Sequence, residues 1–238
     1  MQVAGSTSPD APVDGRRRLY NGSAGASALP VEALQEAKDE LPVFDHTGAS
    51  VMEISHRSPA YDKVEESARD HIKTLLDLDD DWNVLFLQGG ASMQFHQVPL
   101  NFIPEGGSAD YVVTGRWGRK AIKEARIVED AREAASSKDD DFSHIPDVET
   151  WDLDPDAAYV HVTTNETVNG NQFSDDPVLD VPVVTDASSE MLGRPMNLEG
   201  YGLIHAGAQQ NIGPSGGHNG LVAHSVLEQH THRIPAAP

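Results

Sequence analysis

The chain has 238 residues, enough to bury a sizeable core as one large domain or two small ones. Its 38 acidic against 17 basic side chains leave a formal charge of −21, which disfavours nucleic acid and anionic lipid as partners, since both need a basic face that releases counterions. Cysteine is absent, which excludes disulfides, thiolate metal sites and cysteine nucleophiles.

Residues 1–18 are rich in Ser, Pro, Gly and Asp and read as a mobile, disordered extension. Arg16, Arg17 and Arg18 could suggest a twin-arginine or nucleic-acid signal, but no apolar stretch of the right kind follows, so they read as a solvated tail end. Pro30 is a good residue ahead of a helix over 31–41, with Leu34, Ala37 and Leu41 on one face. A longer helix is expected over 61–76. A strand over 82–87 is followed by a glycine turn at Gly89 and Gly90 and a helix from about Ser92. A second strand covers 111–113 and leads through Trp117 into a helix over 120–125. The stretch 130–147 is charged and poor in apolar residues, and reads as a surface excursion. Further strands are expected over 159–162, 181–184 and 203–206, with Pro182 near the beginning of its strand because proline cannot donate to the ladder.

Strand, polar turn and helix repeated with long crossovers predict an α/β fold with a mainly parallel, doubly wound sheet. Functional loops of that architecture sit at the carboxyl ends of the strands. Polar clusters occur there at 89–92, 114–117, 163–167 and 186–189, so a site on that rim is the default reading. No apolar run is long enough to span a bilayer, which favours a cytoplasmic protein. Acid clusters such as Asp79-Asp80-Asp81, beside only six lysines, resemble a halophile's surface; an ordinary acidic cytosolic protein is the alternative.

Four candidates carry chemistry, each with a plainer reading. Gly89, Gly90, Ala91 and Ser92 end a strand and open a helix, suiting either a phosphate at free backbone N–H groups or a tight turn. Trp117 could stack on a flat heteroaromatic ring or simply pack. Asp186 could pair with a protonated pyridine nitrogen or cap the next turn. Arg57, beside His56, could receive an anion or join a structural ion pair.

Five blocks carry a further signal. They are Asn21-Gly22-Ser23-Ala24-Gly25 with Leu29-Pro30, then 50–58 (Ser-Val-Met-Glu-Ile-Ser-His-Arg-Ser), 86–95 (Phe-Leu-Gln-Gly-Gly-Ala-Ser-Met-Gln-Phe), 165–170 (Asn-Glu-Thr-Val-Asn-Gly) and 206–216 (Ala-Gly-Ala-Gln-Gln-Asn-Ile-Gly-Pro-Ser-Gly). In this order they resemble the phosphoserine aminotransferases, class-V aminotransferases of the fold-type I pyridoxal-phosphate enzymes. The resemblance implies that 19–238 form the large, cofactor-binding domain. It implies that Ala91 and Ser92 meet the pyridoxal phosphate's phosphate, with Gln209 beside it, and that Trp117 stacks on the ring. Thr167 would bond the ring's phenolic oxygen, Asp186 its nitrogen, and His56 and Arg57 would receive the substrate's acidic groups. Members convert phosphohydroxypyruvate and glutamate to phosphoserine and 2-oxoglutarate, for serine biosynthesis, as homodimers sharing their active sites.

The chain departs from that pattern in ways that matter. The family's Ala-Gln-Lys-Asn reads Ala208-Gln209-Gln210-Asn211 here, so Gln210 stands where the lysine that holds the cofactor and moves the proton belongs. None of Lys38, Lys63, Lys73, Lys120, Lys123 or Lys138 lies at the motif. The chain also stops before the family's usual end, which implies that the carboxyl-terminal small domain, with the Asn-Thr loop lent to the partner subunit, is largely missing. Gly22, Ala24 and Ala26 replace bulkier, polar or proline residues. His218, His224, His230 and His232 invite a metal reading, but no carboxylate-rich motif accompanies them and no metal is expected. Either an impaired aminotransferase, a non-catalytic cofactor-binding or dimerising paralogue, or a nonfunctional fragment fits these residues.

Overall fold

The computed structural model describes residues 15, 16 and 18–223. The chain divides into two compact units between Ser67 and Ala68. Apart from residues 15, 16 and 18, the extension expected over 1–18 lies outside the described residues, as do His224, His230 and His232.

In the first unit the helix expected after Pro30 forms as α1 (Val31–Glu40), with Pro30 at the N-cap, where its fixed φ of −54° fits and its missing N–H is not needed. The apolar stripe read from the sequence stays open, since α1 has no buried residue and Leu34 and Leu41 are exposed. Helix α2 (Pro59–Leu76) begins two residues earlier than the apolar pattern suggested. Its start is fixed by Ser58, whose hydroxyl accepts the Tyr61 N–H at 3.3 Å. The second half of α2 belongs to the second unit, where it buries Ile72 and Leu76.

The second unit is built on a seven-stranded sheet. In chain order its elements are β1 (Trp82–Leu87), α3 (Gly90–Phe102), β2 (Ser108–Val113), α4 (Arg116–Val128), β3 (Asp130–Ser136), β4 (Val160–Thr163), β7 (Val183–Asp186), β8 (Tyr201–Gly207) and β9 (His218–Ala223); a two-stranded ladder of β5 (Asn165–Glu166) and β6 (Asn171–Gln172) lies outside it. Across the sheet the order is β1-β9-β8-β7-β4-β2-β3. The pairings among β8, β7, β4, β2 and β3 are parallel, and β9 runs antiparallel to both its neighbours. This is the α/β, mainly parallel arrangement that the alternation of strands and helices implied.

Both faces of the sheet are covered, so its inner strands read as continuous apolar runs rather than as an alternation. Val112, Val183 and Ile204 point into one core with Ile72, Leu76, Trp151 and Met191. Their chain neighbours Val113, Val184 and Leu203 point into the other, with Phe95 and Val98 of α3 and Ile122 and Ala125 of α4. Fully burying a side chain such as Ile204 contributes about 1.5–3 kcal/mol.

Two strands of the seven-stranded sheet were not read from the sequence, nor was the short β5–β6 ladder. The excursion expected over 130–147 is wrong in its first half, because Asp130–Ser136 is the edge strand β3, parallel to β2. Only Ala131 and Ala134 of β3 are buried, and alanines with Asp130, Arg132 and Glu133 interspersed lack the apolar density of an inner strand. Charges on an edge strand suit its exposure, since they discourage pairing with another chain. The second omission is β9, for which no element was expected; flanked by β1 and β8, the strand is held by its ladders rather than by propensity. No helix among the described residues is long and apolar enough to cross a membrane.

Candidate functional site

The loops that leave β1, β2, β4, β7 and β8 converge at the carboxyl end of the parallel strands. Together with Gly216 and Gly217, which precede β9, they enclose a cavity of about 490 Å³. Ala91, Ser92, Trp117, Thr167, Asp186 and Gln209 all line it. Six of the residues singled out from the sequence thus share one cavity, although up to 118 residues separate them in the chain (209 − 91). Gln210 follows Gln209 and is half-buried, but it is not among the lining residues. His56 and Arg57 belong to the first unit, where both are exposed in the turn before α2 and the Arg57 N–H donates to Ser55 Oγ at 3.2 Å.

One wall is the start of α3. Gly89 holds the N-cap in the left-handed region at φ +96°, where glycine carries no Cβ penalty, and offers no side chain to cap the helix. The N–H groups of an α-helix's first turn have no partner within the helix. Gly90, Ala91 and Ser92 bring those of α3 to the cavity wall, where the positive end of the helix favours an anion.

The second wall is Trp117, in the first turn of α4. The fully buried carboxylate of Glu166 accepts the Trp117 N–H at 2.8 Å and the Gly118 N–H at 2.6 Å, thereby capping a helix from a distant segment. Burial raises the Glu166 pKa, while these two N–H groups pull it back. Gly115 makes the approach possible, since a Cβ there would lie 2.6 Å from Glu166 Cδ. The Trp117 indole N–H in turn donates to Thr167 Oγ1 at 3.3 Å, so the residue next to the cap fixes the ring's tilt.

The third group is Asp186 at the end of β7, buried at 5 % exposure. Its Oδ1 accepts the Ser188 N–H at 3.0 Å and the Ser188 hydroxyl at 2.6 Å, and Ser188 Oγ accepts the Gly207 N–H at 2.9 Å. The hydroxyl therefore ties the carboxylate to the exit of β8. His205 Nδ1 lies 3.9 Å from the same oxygen. Its imidazole is 6.0 Å from that of His161, on which Tyr111 stacks at 4.9 Å, and Phe95 meets both imidazoles edge-on. Burial, reinforced by neighbouring His205, pushes the His161 pKa down to about 3, so this ring is neutral.

The cavity thus offers helix N–H groups, an aromatic face and a carboxylate, with small residues among its lining. These are the donor set and shape that a flat, anionic heteroaromatic molecule would need. Sequence reasoning assigned no part to Glu166, Ser188, His161 or His205. Glu166 stood inside the block 165–170 and Ser188 inside the polar cluster 186–189, whereas nothing in the spacing of the two histidines marked them. Among the described residues no group of His, Asp and Glu is arranged to hold a metal.

Comparison with known proteins agrees with this architecture. The model of the aminotransferase class-V family matches residues 19–228. The phosphoserine aminotransferase of Desulfosudis oleivorans is 46% identical over 222 residues, covering 92% of this chain and 61% of that protein. That of Pseudomonas aeruginosa is 50% identical over 201 residues, covering 84% and 56% respectively. Among solved structures, phosphoserine aminotransferase from Bacillus circulans subsp. alkalophilus aligns with a TM-score of 0.87 at 42% identity, over 92% of this chain and 61% of that one. The pyridoxal-phosphate-bound enzyme from Trichomonas vaginalis aligns with a TM-score of 0.82 at 35% identity, over 93% and 64%. The chain spans about three fifths of the length of the curated relatives it matches.

Proposed function

We infer the function from one premise: this chain belongs to the aminotransferase class-V family. The cavity of the second unit is a pyridoxal-phosphate site, and the activity to which it is built is that of a phosphoserine aminotransferase, converting phosphohydroxypyruvate and glutamate to phosphoserine and 2-oxoglutarate. The observation that carries this reading is the single cavity lined by Ala91, Ser92, Trp117, Thr167, Asp186 and Gln209. The phosphate belongs at the first turn of α3, with Gln209 beside it. The indole of Trp117 would cover one face of the ring, Thr167 would bond its phenolic oxygen, and Asp186 would keep the ring nitrogen protonated. When bound, the ring supplies an electron sink for chemistry at the amino acid's α-carbon. His56 and Arg57 receive the substrate's acidic groups. In keeping with the family, the protein is proposed to be a cytoplasmic homodimer, and its charge of −21 fits a halophile.

Gln210 limits what this site does. A primary amide neither bonds covalently to the cofactor nor moves a proton at neutral pH, and losing a positioned acid–base group alone costs roughly 10²–10⁴-fold in rate. The same residue favours a second reading, in which the chain holds pyridoxal phosphate without turnover or pairs with an intact paralogue. Titrating the full chain with pyridoxal phosphate tests the first claim. A saturable change in the cofactor's absorbance that borohydride cannot fix to the protein is expected, and no spectral change on mixing rules out the site. Gln210→Lys should make the cofactor reducible onto the chain. Turnover of phosphoserine with 2-oxoglutarate by the unaltered chain at the level of intact family members would refute the impairment.

A further inference from the structure

Lys120, which no motif singled out, does not line the cavity but reaches one of its lining residues. Its ammonium donates to Ser92 Oγ at 2.6 Å and lies 5.9 Å from the centre of the Trp117 ring. An ammonium has donors only, so the serine oxygen is the acceptor in that bond, and the one proton of the hydroxyl is left to donate elsewhere. Ser92 lines the cavity, and an acceptor there would receive that proton together with the first-turn N–H groups of α3. The end of the cavity at Ser92 is therefore supplied with donors, which selects for an anion.

The surrounding charge supports this. The chain carries 17 basic residues against 38 acidic ones, yet Arg116, Arg119 and Lys120 fall within five positions at the start of α4. The first turn of α4 contains no acidic residue. Cations at a helix N-terminus oppose the macrodipole and are worth less there than at the other end. Buried Glu166 accepts the Trp117 and Gly118 N–H groups of α4, a capping role that donor-only arginine and lysine side chains cannot fill. Arg119 lies over Phe142 and Arg116 over Trp117, whereas the ammonium of Lys120 reaches a cavity-lining hydroxyl.

We propose that Lys120 is a positioning residue for the phosphate group of the bound ligand: it orients the Ser92 hydroxyl as a donor and adds a positive charge behind it. This rests on the pyridoxal-phosphate reading above. The experiment measures the affinity of the full chain and of Lys120→Met, Lys120→Arg and Ser92→Ala for pyridoxal phosphate and for pyridoxal, which lacks the phosphate. Lys120→Met is expected to weaken pyridoxal phosphate roughly fivefold at low salt and less at high salt, to leave pyridoxal unchanged, and to be largely restored in Lys120→Arg. Combining Lys120→Met with Ser92→Ala should be weaker than the product of the two single effects, because the lysine acts through the hydroxyl. If Lys120→Met binds pyridoxal phosphate as the unaltered chain does, or weakens both ligands equally, the role of Lys120 is overturned while the cofactor reading stands. If the unaltered chain binds no pyridoxal phosphate, both fall.

Discussion

Trp117 packs against the core, and its main chain is also held by a residue far along the chain. Glu166 accepts its N–H and that of Gly118, and Gly115 leaves the carboxylate just enough room. Gly115 sits at φ 174°, an extended conformation open to any residue, so what it supplies is space rather than conformational freedom. Gly115→Ala would put a carbon 2.6 Å from Glu166 Cδ, forcing the carboxylate or the backbone to move. Glu166→Ala would strand two N–H groups. Each change is expected to cost about 2–4 kcal/mol in denaturant unfolding and to shift the emission of Trp117, identified by difference from Trp117→Phe. Unaltered stability and emission in both variants would mean that Glu166 does not hold the indole. At this scale the sequence was legible where chemistry followed a strand end: Trp117 and Asp186 stand in polar clusters within a few residues of apolar runs, whereas Thr167 lay in such a cluster and owed its role to the family resemblance. Glu166 was not, because its partners are main-chain N–H groups 49 and 48 residues earlier, and no complementary side chain advertises such a bond.

Among the sheet strands, legibility followed how much apolar surface each buries, whereas α1 buries no residue and was legible from Pro30 and its own pattern. The inner strands, apolar on both faces, could be read directly, and their carboxyl ends gave the rim of the site. Strand β3 buries only alanines, and β9 depends on two neighbours for its shape, so neither carries its own signal. The long connections are fixed by polar contacts instead. Between β7 and β8, Arg194 clasps Asp176 through two bonds of 3.0 and 2.9 Å and also bonds Glu190. Tyr201 donates its hydroxyl to Asp176 at 2.9 Å, and the Asn197 N–H adds another bond at 2.7 Å. Burial alone would raise the Asp176 pKa, but Arg194, the Asn197 N–H and the Tyr201 hydroxyl outweigh it and hold the carboxyl below its usual range. Both carboxylate side chains are nearly inaccessible, at 2% for Asp176 and 1% for Glu190. Removing the cation leaves two buried negative charges, so Arg194→Met should lose about 3–5 kcal/mol, the range for breaking one side of a buried ion pair. Adding Asp176→Asn and Glu190→Gln should recover part of that loss. A single variant within about 1 kcal/mol of the unaltered chain would place the cluster in the weak class of solvated surface pairs.

For the molecule as a whole, a charge of −21 and a buried neutral histidine act on stability in separable ways. Repulsion among exposed carboxylates is screened by salt, with a Debye length falling from about 10 Å at 0.1 M to about 3 Å at 1 M. The transition temperature should therefore rise steeply with added salt and then level off. Between about pH 6.5 and 5 most surface carboxylates remain ionised, so their repulsion changes little. His161 behaves differently. In the unfolded chain it takes up a proton near pH 6.5, whereas in the folded chain burial and neighbouring His205 delay that uptake to about pH 3. The unfolded state thus binds more protons throughout this window, and stability falls as the pH is lowered from about 6.5 towards 3. The slope contributed by one such group approaches about 1.4 kcal/mol per pH unit. In 1 M salt, where surface repulsion is suppressed, unfolding free energies between pH 6.5 and 5 isolate the buried term. His161→Phe keeps an aromatic ring against Tyr111, 4.9 Å away in the stack, while removing the titration. That variant should show a shallower acid limb than the unaltered chain at unchanged high-pH stability, and identical slopes in the two proteins would show that His161 is not the group being protonated on unfolding.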